Sequence, residues 1–257
     1  MPSTPPGYPP TPVSPVGLPS WARNGSFVAY RRLRQDVAAF RAFTQQTPQW
    51  GLTPDQLAAK LMGRWPSDAP IQALPIDAAA PTPGLTDPSV TTPAVLDEGT
   101  INDFSFDADI DGTKVPRAAH IRKMNPRSEQ LPGGDKASRH RMLRRGIPYG
   151  PDFAEAEPAY TPTVPSSQDR GLLFICYQAS LSRTFETVQG TWANKPDFPQ
   201  PGDGEDPIIS QDPNPRSFHL PAPQDVHLQI AQWVTTTGGG YFFSPSLTAV
   251  SSLSITL

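Results

Sequence analysis

The sequence predicts an α+β protein with an antiparallel sheet and unusually long irregular connections. Segments with the alternating pattern of strands do not repeat regularly with helical segments, as they would in a doubly wound parallel sheet. The 257 residues include 34 prolines, and each proline fixes φ and removes a hydrogen-bond donor. Residues 66–100 and 199–224, rich in Pro and Asp, are therefore expected to be long loops.

The first elements follow a Pro-rich lead at residues 1–20, which has little to pack and should be extended. Alternation over residues 26–33 predicts a strand after an Asn-Gly turn. Helical spacing then predicts two helices, one beginning at Asp36 and a second beginning at Thr53 and ending at Gly63.

The second half supplies the remaining strands. Residues 171–181 form an apolar run typical of a buried central strand, and residues 181–192 have helical spacing. Residues 226–237 alternate, so we expect a strand, a turn at 238–240 and a hairpin partner at 241–247. This order fits a ferredoxin-like fold, in which helices cover one face of an antiparallel sheet.

Composition excludes several classes of function. A net charge of −3 and a pI near 5.8 argue against nucleic-acid binding. The single cysteine, Cys176, excludes an intrachain disulfide and a Cys-based metal cluster, and its apolar surroundings predict an inert, buried thiol. No apolar run has transmembrane length and no signal peptide is visible, which favours a cytoplasmic location.

The most informative stretch is 115–150, where His120 lies among small apolar residues near many arginines. Imidazole is a common ligand of transition metals, including haem iron. Guanidinium groups pair bidentately with carboxylates such as the haem propionates. The alternative from these residues alone is a structural histidine beside a basic surface. The arginines are Arg122, Arg127, Arg139, Arg141, Arg144 and Arg145.

AAHIRKMNPR (118–127) followed by RRGIPYG (144–150) resembles the haem-binding segment of the dye-decolorising peroxidases. Further segments resemble the family in the family's order, and together they cover most of residues 20–247. They are NGSFVAYRRLRQDVAAF (24–40), KLMGRWPSDAP (60–70), NDFSFDADIDG (102–112), RGLLFICYQASL (170–181), WANKPDFP (192–199), DPII (206–209) and TTTGGGYFFSPS (235–246).

The resemblance implies two ferredoxin-like halves in a complete family member, with haem b held by the second. The first half carries a GxxDG motif whose Asp is assigned as the acid–base group, and the present sequence contains no such motif. We therefore expect a Pro-rich lead at 1–20 and, at 21–257, the C-terminal haem-binding domain without the N-terminal half.

Roles at the iron are implied by matching positions. His120 would be the axial iron ligand, and Asp206 would accept a hydrogen bond from its other ring nitrogen, with an ordinary turn aspartate as the alternative. Arg144 would be the distal arginine that stabilises the peroxide anion, and Arg122 would pair with a propionate.

The resemblance also implies an access path for substrates. Leu172 and Phe174, alternating on one strand, would line a pocket that admits only peroxide and water; plain core packing is the alternative. Bulky dyes would then give up electrons through surface aromatics, and Tyr149 and Trp192 are the candidates, with packing as the competing explanation.

The implied function is a haem peroxidase subunit that uses hydrogen peroxide to oxidise dyes, phenols or other bulky reductants. A second polypeptide carrying the N-terminal half, self-association into a homo-oligomer, or both would complete it, without nucleic acid or membrane. Two alternatives are a haem-binding carrier or sensor without catalysis, and a structural subunit whose haem face is filled by protein.

Overall fold

The computed structural model describes residues 19–46, 50–73, 101–127, 129–153 and 168–252. Most of the predicted Pro-rich lead and of the predicted loop at 66–100 lies outside these ranges. The strands are β1 (Ser26–Gln35), β2 (Leu143–Tyr149), β3 (Gly171–Gln178), β4 (Arg216–Leu220), β5 (Val226–Ile230) and β6 (Val234–Ser244). The helices are α1 (Val37–Gln45), α2 (Pro54–Met62), α3 (His120–Met124) and α4 (Leu247–Ser252), with a π-helix in two consecutive segments, Ser182–Glu186 and Val188–Ala193.

Four strands form an antiparallel sheet in the order β2-β3-β1-β6, and β4 pairs with β5 in a separate sheet. Counting only the strands of the larger sheet, the spatial order is 4-1-3-2, with helices connecting the first strand to the second and the third to the fourth. This is the ferredoxin-like βαββαβ arrangement, so the predicted fold class is confirmed.

Both predicted helix starts are confirmed by their capping bonds. The Asp36 carboxylate accepts from the Ala39 amide at 3.0 Å, and Thr53 forms a reciprocal capping box with Gln56. Helix α2 stops at Gly63, which is left-handed with φ 89°. A side chain at Gly63 would collide with Ile121, so this glycine lets the end of α2 approach α3 closely.

The predicted turn at 238–240 is wrong. Strand β6 continues through these glycines and pairs with β1 from Val234 to Ser244, with a register shift at Thr237. The strand predicted at 226–237 is divided, and its first part, β5, pairs with β4, which lies inside the region expected to be a loop. A side chain at Gly239 would collide with the Tyr30 carbonyl, and the Arg31 side chain lies beside it. Gly239 therefore allows close approach between strands, and the three glycines do not reverse the chain.

Strand β2 was not expected, because Gly146 and Pro148 weaken the strand pattern. It lies at an edge of the sheet, where proline is tolerated since one side of the strand needs no hydrogen-bonded partner. The predicted helix at 181–192 is present, but it is wound as a π-helix.

The larger sheet has two faces, named here by the adjacent arginines of β2 that point to opposite sides. Since directly opposed residues share a face, the register puts Leu172, Phe174 and Cys176 on the Arg144 face. This face packs against the π-helix through Phe185. The Arg145 face carries the most exposed apolar side chains of the sheet, namely Leu143, Ile147 and Phe242.

The main hydrophobic core lies outside this sheet, between α1, α2 and the β4–β5 pair, and includes Leu57, Phe218 and Trp233. Ala118 and Ala119 are buried in the same core, which fixes the backbone that leads into α3. Within the described ranges, no helix combines the length and the apolar character needed to cross a membrane.

Candidate functional site

His120 is the first residue of α3, and its two ring nitrogens have different surroundings. Nδ1 lies 2.8 Å from Oδ2 of Asp206, and the side chain is 18% exposed. Nε2 has no hydrogen-bond partner among the residues that the structure describes. The ring is therefore held by one nitrogen while the other is available to a ligand, as in a metal-binding histidine supported by a carboxylate.

Asp206 is fully buried and ionised. Oδ1 accepts from the amides of Ile208 and Ile209 at 2.8 Å each, and Oδ2 faces His120. Burial acts to raise the pKa of Asp206, but the His120 ring and these two amides outweigh burial and hold the pKa below its usual value. The predicted pair is thus together, and a carboxylate that accepts Nδ1–H leaves the lone pair of His120 on Nε2.

A cluster of arginines lies near the end of α3. Arg127 lies over the Phe104 ring at 3.7 Å and Arg64 over the same ring at 5.8 Å. Burial and then the Arg144 guanidinium lower the pKa of Arg64, against the opposing effect of Asp68. Burial and then Arg64 and Arg141 lower the pKa of Arg127. Such a concentration of positive charge suits a polyanionic ligand.

Two members of this cluster were not predicted as site residues. Arg127 closes the NPR part of the motif, and Arg64 lies in the segment KLMGRWPSDAP (60–70), which resembles the family but did not indicate a role for the arginine. Arg141, one of the arginines near His120 in the sequence, is exposed, and its charge helps to lower the pKa of Arg127.

The expected role of Arg122 as a propionate partner is wrong. Its side chain is 1% exposed and all five of its N–H donors are satisfied by Asp109, Glu129 and the backbone of Asp109 and Val115. Arg122 therefore ties the Asp-rich segment 103–111 to α3 as a structural ion pair, and none of its donors is free for an anionic ligand.

The predicted pocket residues share one face of the sheet. Arg144 is exposed on β2, and Leu172 and Phe174 are partly exposed on β3. A Cβ on Gly146 would lie 3.1 Å from Leu172 Cδ1, so the missing side chain gives Leu172 its room. The arrangement agrees with the predicted geometry, and the roles of these residues stay predictions.

The two candidate electron-transfer residues differ in exposure. Tyr149 is half-buried on the Arg145 face, with the Arg32 guanidinium 4.4 Å above its ring, and burial raises the pKa of its hydroxyl. The expected surface position of Trp192 is wrong. It is buried, stacked on Phe198 at 5.0 Å and contacted edge-on by His140 at 4.9 Å.

Comparison with known proteins relates the chain to one family. The family described as "Dyp-type peroxidase, C-terminal" matches residues 13–199. The dye-decolorizing peroxidase AauDyP1 of Auricularia auricula-judae is 38% identical over 254 residues, which are 92% of this chain and 48% of that protein. The multifunctional dye peroxidase DyP2 of an Amycolatopsis species is 35% identical, covering 89% of this chain and 49% of that protein.

Solved structures of dye-decolorizing peroxidases also resemble this chain in fold. An ancestral D-type dye decolorizing peroxidase superposes with a TM-score of 0.75 at 37% identity, covering 91% of this chain and 53% of that one. A dye-decolorizing peroxidase in complex with 2,6-dimethoxyphenol gives a TM-score of 0.75 at 35% identity, covering 91% and 52%. The chain thus spans about half the length of the relatives that it matches.

Proposed function

The chain belongs to the Dyp-type peroxidase family, and on that premise we propose that it is the haem-binding half of a hydrogen-peroxide-dependent peroxidase. The observation that carries this proposal is the His120–Asp206 pair, which fixes one ring nitrogen on a buried carboxylate and leaves Nε2 for iron. The proposed cofactor is haem b, and the proposed reductants are dyes, phenols or other bulky molecules.

The residues present fit this cofactor. His120 would bind the iron through Nε2. The guanidinium group of Arg127, of which Nη1 donates to the Asn102 carbonyl, would hold a propionate carboxylate. Arg64, whose Nη1 and Nη2 already donate to Asp68, Ile101 and Asn102, would add positive charge beside it. Leu172 and Phe174 would line the pocket where peroxide binds, and their apolar side chains would limit entry into this pocket to small molecules. When bound, haem supplies the redox chemistry with hydrogen peroxide, while the protein contributes orientation, electrostatics and exclusion of competing reactions.

Arg144 would act on the peroxide. The permanent charge of its exposed side chain would favour the hydroperoxide anion over neutral peroxide and stabilise negative charge that develops on oxygen. A guanidinium cannot accept a proton from peroxide, because it stays protonated throughout the accessible pH range. A separate base is therefore required, and we assign it to the part of the relatives' length that this chain does not span.

A second polypeptide is the proposed source of that base. The exposed Leu143, Ile147 and Phe242 support a protein contact on the Arg145 face, because exposed apolar patches mark interfaces, whereas the base itself would have to act on the opposite face, beside Arg144. Self-association through the same face would make a homo-oligomer. The three side chains are 55–57% exposed in the isolated chain.

The proposed route for electrons from bulky reductants runs through Tyr149, since its ring is partly accessible whereas Trp192 is enclosed. Trp192 is then an interior relay at most, because no large substrate can contact it directly.

The deciding experiment is the absorbance spectrum of the purified chain with added haem, alone and with the N-terminal half of a relative supplied as a separate polypeptide, before and after hydrogen peroxide. A Soret band that changes within milliseconds only when the second polypeptide is present supports a peroxidase with its base in trans. A band that never responds to peroxide indicates a carrier or sensor. No band, in the wild type as in His120→Ala, refutes haem binding and leaves a structural subunit.

A further inference from the structure

We propose that Lys123 is a positioning residue that holds the segment carrying Asp206 against α3, and thereby keeps the Asp206 carboxylate on His120. The consequence for His120 as an iron ligand rests on the proposed function. The positioning itself is a property of the chain without cofactor.

All three N–H donors of the Lys123 ammonium form hydrogen bonds. Lys123 lies on α3 one turn after His120 and is completely buried. Its ammonium donates to the carbonyls of Lys195 at 3.0 Å, of Gly204 at 2.6 Å and of Phe198. An ammonium has three N–H donors, and here each of the three meets a carbonyl of one loop.

That loop leads directly to Asp206. The carbonyl partners span 195–204, so the ammonium binds the loop at its beginning and again two residues before Asp206. No helix or strand lies between Ala193 and Arg216, and one isolated antiparallel bridge joins Gly204 to Phe218 of β4, with bonds from the Glu205 amide to the Ser217 carbonyl at 3.0 Å and from the His219 amide to the Asp203 carbonyl at 2.9 Å. Other ties include the Arg117–Asp203 ion pair at 3.3 Å and the bond from the Asp206 amide to the Ala193 carbonyl at 2.9 Å, and the Lys123 ammonium adds three bonds to the segment 195–204.

The contact between His120 and Asp206 depends on the relative position of these two backbone segments. His120 and Lys123 lie on the same short helix, so the ammonium and the imidazole bind the loop from one rigid support. Movement of the loop by about 1 Å would lengthen the 2.8 Å bond between Nδ1 and Oδ2 beyond ordinary hydrogen-bond range.

Burying the charged ammonium of Lys123 is energetically costly, which argues that the ammonium has a specific role at this position. Burial lowers the pKa of Lys123 to about 8, and Asp206, Asp203, Glu205 and Asp197 partly offset burial. An apolar side chain of equal length would avoid this cost but would leave three carbonyls without their donor.

Lys60 provides a matched control. It is also buried, its pKa is also lowered to about 8 by burial, and its ammonium also donates to backbone carbonyls, those of Thr113 and Lys114. None of its bonds reaches the loop that carries Asp206. Lys60→Met and Lys123→Met therefore remove similar groups with different expected effects on Asp206.

The first test is amide hydrogen exchange on the chain without haem. In Lys123→Met we expect the amides of Asp206, Ile208 and Ile209 to exchange about tenfold faster or more, because hydrogen bonds from a charged donor are lost. Lys60→Met should leave them unchanged. If Lys123→Met does not fold, Lys123→Gln, which keeps two N–H donors on a shorter side chain, is compared in the same way. Equal exchange in the Lys60 and Lys123 variants refutes the proposal.

The second test is the reduction potential of the haem-loaded chain. A weaker hydrogen bond from Nδ1 gives a less anionic ligand, so Asp206→Asn should shift the potential in the positive direction. Lys123→Met, or Lys123→Gln in its place, should shift it the same way by less, and should add nothing in the double variant with Asp206→Asn. Additive shifts, or a shift equal to that of Lys60→Met, overturn the role of Lys123. If neither the wild type nor any variant binds haem, the proposal that haem is the cofactor is refuted. Hydrogen exchange on the chain without haem still decides whether Lys123 positions Asp206.

Discussion

Nδ1 of His120 and Oδ2 of Asp206 lie 2.8 Å apart although 86 residues separate them in the chain. Asp206 has no exposed surface, and both of its oxygens are occupied by hydrogen bonds. A buried carboxylate with these partners fixes both the direction and the tautomer of the imidazole. The remaining nitrogen then has a defined orientation before any ligand arrives.

Replacing His120 should remove haem binding. We expect His120→Ala to lose the Soret band given by the wild type with added haem, since the proposed iron ligand is gone. His219→Ala is the control, because His219 lies on β4 and bonds to Asp225 rather than to Asp206. An unchanged band and stoichiometry in His120→Ala would exclude this residue as the ligand.

Asp206→Asn should weaken haem binding by about 10–100-fold, the usual effect of losing a carboxylate behind a ligating histidine. The amide keeps a similar shape but lacks the charge that supports the Nδ1–H donor. Affinity is measured by haem titration and by transfer of haem to an acceptor protein. A dissociation constant equal to the wild-type value would show that Asp206 is an ordinary turn residue.

Arg144 and Arg145 form a matched pair, because they are adjacent on β2 and point to opposite faces. With the N-terminal half supplied, Arg144→Leu should slow the spectral response to hydrogen peroxide by about 10²-fold or more, the loss typical of a preorganised anion-stabilising donor. Arg145→Leu should leave the rate near the wild-type value. Stopped-flow absorbance makes the comparison, and equal rates in the two variants contradict the assignment.

Stability of the haem-free chain should depend on Lys60 and Lys123 above pH 8. Burial lowers the pKa of each lysine from 10.5 to about 8, so in this window the folded chain releases protons that the unfolded chain retains. Their contribution to the free energy of unfolding therefore rises with pH, by up to about 1.4 kcal/mol per pH unit for each lysine.

Urea unfolding at pH 8 and pH 9 tests this dependence. Lys60→Met and Lys123→Met should each flatten the rise relative to the wild type, and other titrating groups cancel in that comparison. An identical rise in the wild type and both variants would mean that neither lysine has a lowered pKa.

Tyr149→Phe should reduce the oxidation of bulky dyes while leaving the response to peroxide intact, because the phenol is the proposed site of electron entry. The control is Trp192→Phe, which alters a buried stack and removes no accessible ring. Steady-state turnover of a dye, followed beside the peroxide step, separates the two effects. If dye turnover falls only in Trp192→Phe, electrons enter by another surface.

The sequence was informative where function constrains spacing and uninformative where distant residues decide a role. The HIR and DPII segments predicted His120 and Asp206, and the structure brings them together. Arg122 was misjudged because no local pattern shows that Asp109 and Glu129 occupy all its donors. Arg64 was missed for the same reason, since its neighbourhood with Arg144 arises only in the folded chain.

Errors in the fold have a similar origin. Three successive glycines are typical of a turn, but those at 238–240 lie within β6, and the middle one, Gly239, accommodates the close approach of β1. Trp192 was expected at the surface because its role was carried over by resemblance, and only the packing of Phe198 and His140 shows that it is enclosed.

The two edges of the larger sheet differ in their ability to recruit foreign strands. Pro148 removes an amide from β2, so a strand arriving there would find an interrupted row of donors. The opposite edge, β6, extends over eleven residues without a proline. Aggregation by strand addition should therefore begin at β6, and a single proline introduced on its outer side should reduce it.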